Sequence, residues 1–301
     1  MNPNLNVDFV GIKFNNPVIV SSGTFGYGFE LEDLIDICKL GGIITKTITL
    51  EPRHGNPQPR IAEVSSGIVN NIGLQNVGIV KFVEKYLKKI IKFDIPVIVS
   101  ISGKNVCEYI KIIEILNKQD CISAVELNLS CPNLNESIIC NDLDLVYNII
   151  TGIKQKTKIP LIAKLSPSYN ILEIALIAQK AGVDGLTIAN TYPAMVVNVD
   201  IYKKFNVMFG GLSGPSIKPI SIRYVYDVYK KVDIPIIGCG GIMNGNDAIE
   251  FLASGSKLVS VGTACLISPN NLINIIEEIE LILKKNKIKS INEIIGICNK
   301  K

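Results

Sequence analysis

The sequence predicts an α/β fold: an eight-stranded parallel β/α (TIM) barrel with a small N-terminal β-hairpin. Three observations lead there. Eight short runs rich in Val, Ile and Leu recur along the 301 residues, as expected of strands buried on both faces. Between them lie longer segments with apolar residues at three- and four-residue spacing. No early G-x-G-x-x-G follows the first run, and strand count and length match a barrel. Both points weigh against the doubly wound open sheet that the same alternation could build.

Taken in order, NVDFVGIKFNN near the start reads as a hairpin (residues 1–15) able to plug the barrel floor. The strand runs are NPVIVSS (16–22), GGIITKT (41–47), PVIVSIS (96–102), AVELNLS (124–130), PLIAKLS (160–166), GLTIANT (185–191), PIIGCGG (235–241) and LVSVGTA (258–264). Four of them open at or just after a proline, which suits the first residue of a strand. Helical spacing marks 31–40, 106–118, 143–156, 171–182, 220–232, 247–255 and 272–285. Gly182 and Gly255 stand where helix C-caps are expected. The barrel thus spans 16–285 and a tail spans 286–301. With no linker, repeat or low-complexity segment, 1–301 reads as one domain.

Composition narrows the function. A net charge of +4 with no basic block interleaved with aromatics argues against nucleic acid. There is no apolar stretch of about 18 residues, which argues against a membrane span. The N-terminus has no signal-peptide pattern. The eight cysteines are scattered without metal or cluster spacing, so the expectation is reduced thiols in the cytoplasm and no metal site. The one histidine, His54, sits in a Pro/Gly-rich loop that does not suggest a Ser-His-Asp device.

In a β/α barrel the C-terminal strand ends converge on one mouth, where the chemistry of this fold resides. Those ends carry two lysines, Lys46 and Lys164, within otherwise apolar strands. A lysine there is costly to bury unless it meets an anion or an acceptor-rich ligand; pairing with Glu126 on a neighbouring strand is the alternative. The last two runs end in GCGG and VGTA, where glycines let backbone N–H groups approach a phosphate. Together these features fit flavin mononucleotide, with a lysine available to stabilise negative charge on the reduced ring. Asn70, Asn71, Asn76, Asn128, Asn133 and Asn190 add amides suited to a small planar ring with alternating carbonyl and N–H edges. Cys131, in LSCPN, is either a buried small hydrophobe or a reactive thiol displayed at a strand end.

At these residues the chain resembles the dihydroorotate dehydrogenase family, from about residue 7 to 270. The likeness is carried by NPVIVSSGTFGYG, ITKTITLEPRHGNPQPRIAE, NNIGLQN, ELNLSCPN, IAKLSP, ANT, GGLSGPSIKP, IIGCGGI and VGTA. It resembles class 1, whose base is cysteine, and within it the NAD-linked 1B form. The resemblance implies that Ser22, Lys46, Thr47, Ser100, Asn128, Lys164, Ala189, Gly214, Gly240, Gly241, Gly262 and Thr263 hold one FMN per chain. It implies that Lys46, Asn70, Asn71, Ile72, Gly73, Leu74, Asn128, Asn133, Asn190 and Thr191 hold the pyrimidine. Cys131 would remove the C5 proton of dihydroorotate while hydride passes from C6 to FMN N5, giving orotate for UMP synthesis. Electrons would reach NAD through a partner subunit bearing FAD and a 2Fe-2S cluster, in a heterotetramer of two catalytic and two electron-transfer chains around a homodimer core. A self-contained, fumarate-linked 1A-like homodimer is the alternative; a non-redox phosphate-binding barrel, lyase or sensor, is a more distant one. Two departures stand out. Ser100 occupies a position where the 1B pattern usually has Asn, and LNESIICND after CPN lacks the glycines usual in the family's lid.

Overall fold

A computed structural model describes residues 2–129, 139–198 and 206–300. All eight expected runs form strands: β1 (Val18–Val20), β2 (Gly42–Ile44), β3 (Val97–Ile101), β4 (Ala124–Asn128), β5 (Leu161–Lys164), β6 (Gly185–Ile188), β7 (Ile236–Cys239) and β8 (Ser256–Val261). They pair in parallel in chain order, and β8 returns to β1 to close the ring. Closure leaves no open edge. It also forces alternate side chains of every strand into one shared interior. The register sets Ser100 beside Glu126, Asn128 beside Lys164 and Lys164 beside Thr187, so a polar layer crosses β3 to β6.

Helices cover the outside. Val106–Leu116 starts where the Asn105 side chain accepts from the Glu108 N–H at 3.0 Å, and buries Tyr109, Ile112, Ile113 and Leu116 at helical spacing. Leu143–Lys154, Ile171–Ala181, Lys218–Tyr229, Gly245–Ser254 and Asn271–Lys285 follow. Gly182 caps its helix at φ +100°, and Gly255 lies where a Cβ would come within 2.2 Å of the Tyr229 ring. No helix among the described residues is long and apolar enough to cross a membrane.

Three features depart from the sequence reading. Residues 31–40 do not form the expected helix: they are turns ending in a single 3-10 turn, Ile37–Lys39. Asp36 interrupts the run by taking an extended conformation and accepting from the Cys38 N–H at 3.2 Å, a local bond that competes with continued helix. Conversely, residues 79–93 form a helical stretch with a π-helical centre, Phe82–Leu87. Finally, Ile61–Val64, Gly67–Asn70, Tyr192–Asn198 and Asn206–Ser213 make a four-stranded antiparallel sheet outside the barrel. Its strands come from two segments far apart in sequence, so local pattern alone does not reveal their pairing.

The expected hairpin forms as Val7–Phe9 paired with Ile12–Phe14. Phe9 and Phe14 are fully buried and meet edge to face at 6.4 Å. A Cβ on Gly185 would lie 2.9 Å from the Phe9 ring, and one on Gly42 would lie 3.1 Å from the Phe14 ring. Both glycines begin barrel strands, so the aromatic pair seals the N-terminal end. The C-terminal segment docks beside it through Asn4 N–H to the Lys289 carbonyl and Ile291 N–H to the Asn4 carbonyl. Phe9→Ala therefore opens a floor cavity and is expected to destabilise the fold by about 3–5 kcal/mol, read by chemical denaturation.

Candidate active site

The opposite end of the ring holds a cavity of about 240 Å³. Every barrel strand except β3 sends residues to its lining. Ser21, Ser22, Gly23 and Thr24 come from the end of β1, Lys46 and Thr47 from β2, Asn128 from β4 and Lys164 from β5. Ala189, Asn190 and Thr191 follow β6, Cys239, Gly240 and Gly241 close β7, and Gly262 and Thr263 follow β8. Across the mouth, Asn70, Asn71, Ile72, Gly73 and Leu74 complete the wall.

Lys164 is only 4 % exposed, and its Nζ lies 3.2 Å from Ser22 Oγ. No carboxylate among the described residues forms an ion pair with it. Glu126 does not supply the alternative pairing. Its carboxylate, fully buried, accepts from Ser100 Oγ at 3.1 Å and Thr187 Oγ1 at 3.0 Å. A buried ammonium beside one neutral hydroxyl is incompletely compensated, and the cavity is where an anion can meet it.

The glycines behave in two ways. Gly241 needs φ +77°, and a Cβ there would lie 2.8 Å from the Gly214 carbonyl oxygen. Gly262 has an ordinary φ of −114°, and the nearest atom to a Cβ would be Ser21 Oγ at 3.5 Å. Packing does not require glycine at 262, and its bare backbone lines the cavity. The loop after β7 is braced by Lys218, which reaches Asp247 at 2.6 Å and Glu250 at 2.9 Å. Asp247 in turn accepts from the Met243 N–H at 2.9 Å. The bond to Asp247 is the main cause that raises the Lys218 pKa.

Two expected residues stand behind the lining rather than in it. Ser100 is fully buried, its Oγ engaged by Glu126 and, at 3.0 Å, by Thr47 Oγ1. Gly214 backs Gly241 from outside the cavity. Asn76 is occupied with holding its loop: its amide donates to Thr49 Oγ1 and the Leu74 carbonyl and accepts from the Thr49 and Gly78 N–H groups. Cys131 and Asn133 lie outside the described residues. Burial pushes the thiols of Cys140 and Cys265 up to about 11, which leaves them poor nucleophiles.

Sequence reading missed Gly23, Thr24, Ile61, Ile68, Gln75, Gly210, Gly211, Ser213, Ile217, Cys239 and Leu266 in the lining. Several belong to the antiparallel sheet, whose position is a tertiary fact. Cys239 was within reach as the last strand residue of IIGC; its Sγ lies 3.5 Å from Ser21 Oγ.

The family model for dihydroorotate dehydrogenase matches residues 4–283. The chain belongs to the dihydroorotate dehydrogenase family. It is therefore an oxidoreductase of pyrimidine biosynthesis, oxidising dihydroorotate to orotate. It is 57 % identical, over 100 % of its own length and 99 % of the relative's, to the dihydroorotate dehydrogenase B (NAD(+)) catalytic subunit of Endomicrobium trichonymphae. The same-named subunit of Petrotoga mobilis is 46 % identical, covering 97 % of this chain and 98 % of the relative. That of Caldicellulosiruptor bescii is 43 % identical, covering 98 % and 99 %. In fold, the chain matches a crystal structure of DHODH in complex with ferulenol from Eimeria tenella, with a TM-score of 0.84, 24 % identity and coverage of 100 % of this chain and 90 % of that one.

In this dihydroorotate dehydrogenase Lys46 is half-buried, and burial is the main cause that holds its ammonium below the ordinary 10.5; Arg60 adds to the depression and Glu30 opposes it. Folding thus disfavours the charged form. The resulting penalty is full below Lys46's depressed folded pKa and is relieved as pH rises from there to 10.5. At about pH 9 an amine-acylating reagent is expected to label Lys46 faster than the exposed lysines, by peptide mass spectrometry, and Arg60→Gln should slow that labelling.

Proposed function

We propose that the cavity seats FMN and dihydroorotate together, with the FMN phosphate at the loops after β7 and β8. Lys164 carries this reading: a buried cation that faces the same cavity as the bare Gly262 backbone and the Gly241 turn. The residues fit the group. Gly240, Gly241, Gly262 and Thr263 offer N–H groups for a phosphate, and Lys164, Lys46 and Ser22 offer donors to an acceptor-rich ring. When bound, FMN supplies the two-electron acceptor that takes the C6 hydride at N5.

The chain's own residues bind, orient and deprotonate. Lys46 meets the substrate carboxylate, and its depressed pKa returns upward when that anion arrives. Asn70, Asn71, Asn128, Asn190 and Thr191 hold the pyrimidine edges, with Ile72, Gly73 and Leu74 against its face and Asn133 a further contact. Asn70 Nδ2 is held on the Gly211 carbonyl at 3.1 Å, and Asn190 Oδ1 on the Thr191 N–H at 2.8 Å, so both amides are oriented in advance. Cys131 takes the C5 proton as thiolate. Its neighbour in sequence, Pro132, restricts the cysteine backbone toward extended conformations. Ser100 acts on the flavin side through Thr47, and Gly214 through Gly241.

We further assign the chain to the NAD-linked form, as the catalytic subunit that works with an electron-transfer partner. Support comes from its relatives, which are named dihydroorotate dehydrogenase B (NAD(+)) catalytic subunits and match 97 % or more of this chain. The partner would carry FAD and a 2Fe-2S cluster, two such subunits joining a homodimer of this chain in the cytoplasm.

Lys164→Ala is expected to lower FMN retention at least about ten-fold, read by fluorescence of released flavin; full occupancy after gel filtration would remove the phosphate-and-ring seat proposed around it. Cys131→Ser should retain FMN and slow flavin reduction by dihydroorotate by about 10²–10⁴ near neutral pH in stopped flow, since a serine hydroxyl is a far weaker base there. An unchanged reduction rate would assign the proton to another residue.

A further inference from the structure

Glu126 lies one layer below the cavity, fully buried, and no step above uses it. Its surroundings form a directed chain. As a carboxylate it can only accept, so the single O–H of Ser100 is committed to it at 3.1 Å, and that of Thr187 at 3.0 Å. Ser100 Oγ and Thr47 Oγ1 are 3.0 Å apart. With its proton already turned to Glu126, Ser100 can only accept in that contact, and Thr47 must donate. Thr47 Oγ1 then receives the Asn128 Nδ2 at 3.2 Å. The chain therefore runs Asn128 to Thr47 to Ser100 to Glu126. One end of it is a carboxylate that has no proton to give.

The consequence reaches the cavity, because Thr47 and Asn128 both line it. A carboxamide has nearly the same shape with its oxygen and nitrogen exchanged, so shape alone does not orient Asn128. We propose that Glu126 is a positioning residue of the active site. Through Ser100 and Thr47 it fixes the Asn128 amide nitrogen toward Thr47 and leaves Thr47 Oγ1 to meet a ligand solely as an acceptor. The site thereby selects a ligand with a donor, N–H or O–H, facing Thr47. Ser100 is the link that makes this relay of hydroxyls continuous. This inference rests on the proposed contacts of Thr47 and Asn128 with bound ligands.

The test uses the FMN-loaded protein and orotate, titrated by the change in flavin absorbance. Glu126→Gln keeps the shape but supplies both a donor and an acceptor, so the chain can run in either direction. Ser100→Ala cuts the chain and leaves the Glu126 contact with Thr187. Thr187→Val removes that other contact and leaves the chain intact. Glu126→Gln and Ser100→Ala are expected to weaken orotate about ten-fold each, and the double variant no more than either alone, because they act through one chain. Thr187→Val should leave orotate affinity near the wild-type value even where it lowers stability. A merely structural carboxylate predicts the reverse: Thr187→Val and Ser100→Ala equal in effect, and the losses additive. That pattern, or wild-type orotate affinity in both Glu126→Gln and Ser100→Ala, overturns the proposal. Should Glu126→Gln fail to fold, the contrast between Ser100→Ala and Thr187→Val decides alone. A wild-type flavin spectrum that ignores orotate instead overturns the ligand seat itself, and the role of Glu126 with it.

Discussion

An ammonium group held almost out of water, with one serine hydroxyl as its neighbour, is the constraint around which the mouth of this barrel is organised. Lys164 cannot leave: β5 is paired on both sides, to β4 and β6, and the register turns its side chain into the interior. Nor is its charge cancelled by Glu126, whose oxygens are occupied by Ser100 and Thr187. Electrostatic cost of this kind persists in a folded protein when a ligand removes it. The bare backbone at Gly262, the turn at Gly241 and the brace of Lys218 on Asp247 surround the same space. The flavin phosphate and acceptor-rich ring proposed above would answer both the charge and the room.

The two ends of the ring do different work because they are chemically different. At the floor, Phe9 and Phe14 pack on Gly185 and Gly42, and the stabilisation is apolar burial. At the mouth, hydroxyls, amides and lysines stand at strand ends and hydrogen-bond with one another, as Thr47 does with Ser100 and Asn128. Polar groups in a low-dielectric interior interact strongly, so each donor's direction matters. Placing a carboxylate beneath the site gives a network of hydroxyls one sense rather than two. The antiparallel sheet adds the outer wall, bringing Asn70 against Gly211 from segments about 140 residues apart.

Much of this was legible along the chain. Eight apolar runs with turns of helix between them leave few alternatives to a closed or open parallel sheet, because strands apolar on both faces must be covered on both. The hairpin, the glycine caps at 182 and 255, the lysines at strand ends and the glycines of the last two strands were all local signals, and ordered motifs identified the family. The helix expected at 31–40 failed because periodicity is blind to a side chain such as Asp36 that bonds its own backbone. The stretch at 79–93 was overlooked although its spacing was there to read.

What the amino-acid order determined by itself was therefore the period-two and period-three-to-four patterning, and with it the class of fold and the residue types gathered at one end. Which of those residues face the cavity was decided only by closure of the ring and by long-range pairing. Ser100 moved behind Thr47, Asn76 became a loop clasp, and Cys239 and Gly211 entered the wall. The physical reason is that a strand's pattern fixes which face a side chain takes, whereas its hydrogen-bond partners come from neighbours that are remote in sequence and are set by register.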